Sequence, residues 1–167
     1  MADVHREPIA LPPGRGGRFH VPGSPYVVKL AGEQTGGSLA VVESTFAPGE
    51  GAPPHLHRGH DETFYVVSGA FRLRCDDRTV EAGPGGFLHV PRTHPHSFTA
   101  IGDAPATILV ALTPAGFEHF FIEAAALAAS GRPDRRAMES LLAGYDQELV
   151  DWGRSDDRPG PTKNRSW

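Results

Sequence analysis

The sequence predicts an all-β protein, an antiparallel sandwich or barrel, followed by helices in its C-terminal part. Two patterns carry this. Short β-rich segments bounded by glycine, proline or aspartate recur from Tyr26 to Leu112, with no helical period between them. After Pro114 the apolar spacing changes from two to nearer four.

In chain order, residues 1–25 contain Pro12-Pro13-Gly14-Arg15-Gly16-Gly17 and Pro22-Gly23-Ser24-Pro25, which interrupt regular structure and read as a flexible arm. No apolar strand precedes these glycines and no helix pattern follows them, so they do not read as a phosphate cradle. Residues 26–113 hold the β-rich segments: Tyr26–Leu30, Ser38–Phe46, Thr63–Val67, Phe71–Cys75, Thr79–Glu81, Phe87–Val90, Ser97–Ile101 and Thr107–Leu112. Ser68-Gly69-Ala70 and Asp76-Asp77-Arg78 read as hairpin turns, and Gly83-Pro84-Gly85-Gly86 as a loop. Over residues 114–150, Phe117, Phe120, Phe121, Ala124, Ala125 and Ala128 share one face of a helix that Ser130-Gly131-Arg132-Pro133 ends. Met138, Leu141, Leu142 and Tyr145 suggest a second helix. The aromatic stripe reads as core packing against the barrel. Residues 151–167 are polar, with prolines and glycine, and read as a flexible tail.

With 167 residues, of which 39% are hydrophobic, the chain suits one compact domain with a sizeable core. A formal net charge of −4 and the lack of a basic stripe argue against nucleic acid or an acidic membrane as partner. The N-terminus shows no signal-peptide pattern, and no apolar run reaches the roughly 18 residues a membrane span needs, so a cytoplasmic location is expected. Cys75 is the single cysteine, which excludes an internal disulfide. Its alternation with Phe71 and Leu73 predicts an inward, inert thiol.

The chemistry concentrates in Gly49 to Gly69. On an extended strand, His55 and His57 point to the same face and offer two imidazoles to one ion. Glu62 opens the next apolar run after the polar corner Arg58-Gly59-His60-Asp61, and a hairpin there would return its carboxylate to the two histidines. In Gly85 to Phe98 an apolar strand ends in a proline turn and His96 opens the next strand, supplying a fourth ligand. Imidazoles and a carboxylate together hold a divalent first-row metal and leave positions open for water, oxygen or substrate.

These stretches resemble the two motifs of the cupin superfamily. Gly49, His55, His57, Glu62 and Gly69 meet every position of the first. Gly85, Pro91 and His96 meet the second, while Thr93 stands where the motif has glycine and Ala100 where it has asparagine. The resemblance implies a double-stranded β-helix, a jelly-roll barrel, here with two C-terminal helices. The run Thr113-Pro114-Ala115-Gly116-Phe117-Glu118-His119-Phe120-Phe121 and the helices after it are similar to small single-domain cupins like the quercetin 2,3-dioxygenases.

That resemblance implies a dioxygenase with Fe, Mn, Ni, Co, Cu or Zn on His55, His57, Glu62 and His96, acting on a small aromatic or enolisable molecule. It implies a further role for Glu62 as general base toward a substrate hydroxyl. It also implies a homodimer joined through sheet edges. The same ligands suit a metal-dependent isomerase, cyclase or decarboxylase, and a non-catalytic binding module is a third reading. Of the other histidines, His60 reads as a solvated loop residue, His89 and His94 as neighbours of the ligands at most, and His5, His20 and His119 as surface or packing residues. Phe64, Val66, Phe71, Leu73, Leu88, Phe98, Leu109 and Ala111 are expected to line the barrel.

Overall fold

The computed structural model describes residues 7–21, 24–131 and 135–152. Its elements are β1 (Gly17–Val21), β2 (Ser24–Leu30), α1 (Gly32–Thr35), β3 (Ala40–Phe46), β4 (Gly51–His57), β5 (Asp61–Ser68), β6 (Ala70–Cys75) and β7 (Arg78–Ala82). They continue with β8 (Phe87–Val90), β9 (His96–Ile101), β10 (Ala106–Thr113), α2 (Glu118–Ala129), α3 (Arg135–Gly144) and β11 (Gln147–Leu149). One sheet runs β1-β2-β3-β10-β5-β8 and the other β11-β4-β9-β6-β7, with antiparallel pairing throughout. This is the cupin-type jelly roll expected from the sequence.

Alternation places the inner faces. On β3 the buried residues are Ala40, Val42, Ser44 and Phe46, and on β9 they are His96, Phe98 and Ala100, each two apart. Two apolar clusters result. Phe46, Phe64, Val66, Phe71, Leu73, Phe98 and Ile108 fill one region between the sheets. Ala40, Val42 and Leu112 meet Phe117, Phe120, Ala124 and Leu142 of the helical segment in the other. Tyr26 touches both, edge-on to Phe46 and stacked on Phe121 at 4.2 Å between centroids. The helices therefore pack on the barrel through their aromatic stripe, as the sequence predicts, and they do so at one end of it.

Several expectations need correction. Residues 17–21 are not a loose arm, because β1 pairs along its whole length with β2 and so gains ladder hydrogen bonds that its glycine-rich flanks do not signal. Residues 147–149 are not helical: β11 caps the free edge of β4. Ser68-Gly69-Ala70 is not a hairpin turn but a corner, since β5 and β6 lie in different sheets. The corner needs its glycine. Gly69 has φ +70°, and a Cβ there would lie 2.6 Å from Ala106 Cα. The tail reading falls largely on residues 153–167, outside the described residues.

Candidate metal centre

His55 and His57 lie on β4 and His96 on β9, adjacent strands of one sheet, with His55 directly opposite His96. Glu62 comes from β5 in the other sheet. The fold-back foreseen for Glu62 is thus no hairpin: the corner after His57 carries the chain across the barrel, so the carboxylate approaches from the opposite wall. All four side chains are buried, and one ligand atom from each lies within 4.8 Å of the others.

Two turn contacts hold the opposing walls in register. Asp61, at the start of β5, accepts hydrogen bonds from the backbone N–H of Arg92 at 2.9 Å and from its Nε at 3.0 Å. The Thr93 N–H donates to the His57 carbonyl at 2.6 Å. The turn before His96 is therefore tied both to the start of the Glu62 strand and to His57. Thr93, which replaces the motif's glycine, has φ +72°, the left-handed conformation that glycine would adopt freely.

The histidines are oriented by backbone carbonyls. His55 Nδ1 donates to the Pro53 carbonyl at 2.7 Å and His96 Nδ1 to the His94 carbonyl at 3.0 Å, leaving each Nε2 for the centre. His96 Nε2 lies 2.7 Å from Glu62 Oε2, whereas His57 Nε2 is 3.5 Å from the same oxygen. Both ring nitrogens of His57 are buried without a hydrogen-bond partner.

Burial by itself would raise the Glu62 carboxyl, but His57 and His96 outweigh it and hold the group well below the usual carboxylate range. Burial likewise opposes charge on His96, and the Glu62 hydrogen bond overcomes it, so the His96 pKa is raised. His55 is lowered to about 3, first by burial and then by His96. Without a cation the centre thus holds a carboxylate and a histidine inclined to protonate against it, beside the His55 imidazole, which burial keeps neutral. A divalent ion fits this donor set: it would occupy the orphaned His57 nitrogen and take the place of the His96 proton.

The surroundings revise other expectations. His60 is not a solvated loop residue. It is only 5% exposed, its ring centroid is 4.1 Å from that of His57 and 4.7 Å from that of Phe117, and its Nε2 has no partner. Burial, then the neighbouring His57, lowers its pKa to about 4. Phe117, read from the sequence as core packing, also stands edge-on to His57 at 4.5 Å. Phe64 approaches His96 from the other cluster at 5.8 Å, so the centre lies between the two apolar regions. The long-range contacts of His60 and Phe117 left no signal in local spacing.

The side chains of His89, His94 and His119 make their contacts away from the centre. His89 hydrogen bonds to Thr63 Oγ1 at 2.9 Å and His94 to Asp76 Oδ2 at 2.7 Å, both on the exposed side. His119 pairs with Glu33 at 3.2 Å, and His20 is exposed while His5 lies outside the described residues. Cys75 packs inward against the Phe71 and Leu73 cluster as its parity predicts, though it is only half-buried, and burial, with Asp76 beside it, raises its thiol to about 11, consistent with an inert group. Leu109 and Ala111, expected to line the barrel, are only partly buried, because the inward parity of β10 belongs to Ala106, Ile108 and Leu112.

A cupin domain model matches residues 42–112. The chain is 34% identical over 115 residues to quercetin 2,3-dioxygenase of Bacillus subtilis, covering 68% of this chain and 34% of that protein. It is 32% identical over 111 residues to quercetin 2,3-dioxygenase of Aspergillus japonicus, covering 62% and 29%. It therefore spans about a third of the length of these curated relatives. Among solved structures, KdgF from Halomonas sp. superposes with a TM-score of 0.56 at 23% identity, over 62% of this chain and 92% of that one. That likeness speaks for the fold.

Proposed function

This chain is a cupin resembling the quercetin 2,3-dioxygenases, and from that premise we propose that it is a metal-dependent dioxygenase acting on a small aromatic or enolisable molecule. The carrying observation is the buried His55, His57, Glu62 and His96 group with both His57 nitrogens unpartnered. The similarity to the two dioxygenases supports oxygen chemistry over the other reactions such a donor set permits. His55, His57 and His96 would hold the ion through ring nitrogens and Glu62 through a carboxylate oxygen. Fe, Mn, Ni, Co, Cu and Zn all suit this mixed nitrogen and oxygen set.

When bound, the ion supplies Lewis-acid attraction for an ionised substrate oxygen and an open position beside it. The chain's own residues supply the rest. Glu62 is the general base: an oxygen not engaged by the ion would accept the substrate hydroxyl proton. Phe117 and Phe64 bracket the centre with apolar surface, which keeps water out and favours a planar ring. The Pro53 and His94 carbonyls keep His55 and His96 in the tautomer that presents Nε2.

The test is elemental analysis of purified protein, followed by oxygen consumption with flavonols and catechols. Uptake that depends on the bound metal supports the proposal. A metal-replete protein that consumes no oxygen across the panel would place it with the isomerases, cyclases or decarboxylases that the same ligands serve.

We also propose a cytoplasmic homodimer. Among the described residues no helix is long and apolar enough to cross a membrane. Strand β8 is a sheet edge, and Phe87 on it is 64% exposed opposite the exposed Tyr65 on β5. An apolar pair at an open edge favours pairing with a second copy.

A further inference from the structure

Two buried polar atoms beside the centre have no role in holding an ion. His60 Nε2 is one: its ring lies tilted against both His57 and Phe117, which also touch each other, yet His60 falls outside the group of side chains whose ligand atoms come within 4.8 Å of one another. Gln147 Oε1 is the other, buried and without a partner. Gln147 sits directly opposite His57 in the β11–β4 ladder, so both side chains project from the same face of the sheet. That ladder is framed by backbone hydrogen bonds from Arg58 N–H to the Asp146 carbonyl at 3.1 Å and from Val150 N–H to the Pro54 carbonyl at 3.0 Å. The C-terminal segment is thus fixed against the strand that carries His55 and His57.

An unsatisfied buried polar atom costs about 1–3 kcal/mol, and two flanking one metal-binding histidine are an uncommon expense for a fold to keep. Neither has a partner in the protein, and each can bond to a ligand oxygen. An imidazole Nε2 donates or accepts according to tautomer, and an amide oxygen accepts from a hydroxyl. Phe117 supplies an apolar ring on the same side of His57 as His60. A ligand matching all three features is planar and carries a second oxygen next to the one that meets the ion.

We propose that His60 and Gln147 form the specificity-determining pair of the site, recognising the second oxygen of a planar small molecule with adjacent oxygen substituents. This rests on the proposed function, since it takes the first oxygen to sit at the ion. His60 and Gln147 are binding residues here and hold no metal.

Zinc-loaded protein, which is redox-inert, allows the test by calorimetric titration with catechol, which has two adjacent hydroxyls, and with phenol, which has one. His60→Phe keeps a ring against His57 and Phe117 but removes its nitrogens, and Gln147→Leu removes the amide. Each should keep its full zinc content and bind catechol about tenfold or more weakly, the cost of one lost hydrogen bond to a polar ligand. Phenol affinity should stay at the wild-type value, and His60→Gln should recover part of the catechol affinity.

Wild-type catechol affinity in either variant overturns the pair, as does equal loss for phenol and catechol, which marks general damage. Loss of zinc from His60→Phe overturns it too, by making His60 a ligand. If wild-type zinc protein binds neither compound, the proposed substrate class falls and the pair with it. Should the variants fail to fold, the nitrogen resonance of His60 Nε2 in wild-type zinc protein decides. A shift on saturation with catechol but not phenol supports the proposal, and an unmoved resonance overturns it.

Discussion

Phe117, the residue preceding α2, stands edge-on to His57 with ring centroids 4.5 Å apart and an interplanar angle of 68°. The helical segment therefore forms a wall of the centre as well as a plug for the barrel. Glu118, next in sequence and 1% exposed, fixes this wall by accepting hydrogen bonds from the N–H groups of Gly32 at 2.7 Å and Gly116 at 2.6 Å. A buried carboxylate bonded at both oxygens locks the start of α2 to the first residue of α1.

His57→Ala should lose most of the bound metal, whereas His119→Ala, whose exposed ring pairs with Glu33, should keep it. Even changes outside a ligand set cost about 10- to 100-fold in metal affinity, and removal of a ligand costs more. Elemental analysis of the two proteins, purified identically, checks this. Equal content would remove His57 from the ligand set.

Glu62→Gln keeps the size and an oxygen donor but loses the charge and nearly all basicity. Turnover should fall further than metal occupancy, by about 100-fold or more if proton removal is at stake. Oxygen uptake by wild type and variant at matched metal content measures the difference. A substrate already ionised at assay pH should suffer less than a weakly acidic one, and undiminished activity would leave Glu62 a ligand only.

Thr93→Gly should stabilise the protein. A β-branched residue at φ +72° carries a backbone cost of order 1–3 kcal/mol, of which glycine's greater freedom when unfolded returns about 1. A gain of up to about 1–2 kcal/mol is expected from urea unfolding, with metal content unchanged because the Thr93 N–H that meets the His57 carbonyl survives. A loss of stability would mean that the threonine side chain has a compensating partner.

Metal-free protein should lose stability as the pH falls from about 6.5 to 5. His55 and His60 have folded pKa values of about 3 and about 4 against an ordinary 6.5, so in this window the unfolded chain binds protons that the folded one refuses. Each group then costs up to about 1.4 kcal/mol per pH unit. His96 works the other way, but its pKa is raised, so its contribution is complete below 6.5 and does not change further. The Glu62 contribution, from a lowered carboxyl, persists down to about 4.5. Urea midpoints of metal-free protein at pH 7 and pH 5 test the sign; a higher midpoint at pH 5 would contradict it.

Light scattering should give twice the 17.9 kDa chain mass. Phe87→Glu, which puts a charge on the 64% exposed edge residue, should shift the protein toward monomer without disturbing the core face of β8. A wild-type monomer at micromolar concentration would reject the dimer.

The sequence by itself determined the β framework and the four residues at the centre. Strand parity put His55 and His57 on one face, and Phe87–Val90 was bounded correctly because proline and glycine punctuate that stretch on both sides. Local signals of this kind depend on residues two to four apart. What only the tertiary structure decided depends on residues far apart: that Glu62 reaches its histidines from the opposite sheet, that β1 and β11 find pairing partners, and that Phe117 covers His57 and buries His60. His60 shows the physical reason. Its polar, glycine-flanked corner reads as solvated by composition, and it is desolvated where Phe117, more than fifty residues later, packs against it just ahead of α2. Burial is a property of what the rest of the chain brings to a residue, and no spacing pattern within the corner encodes it.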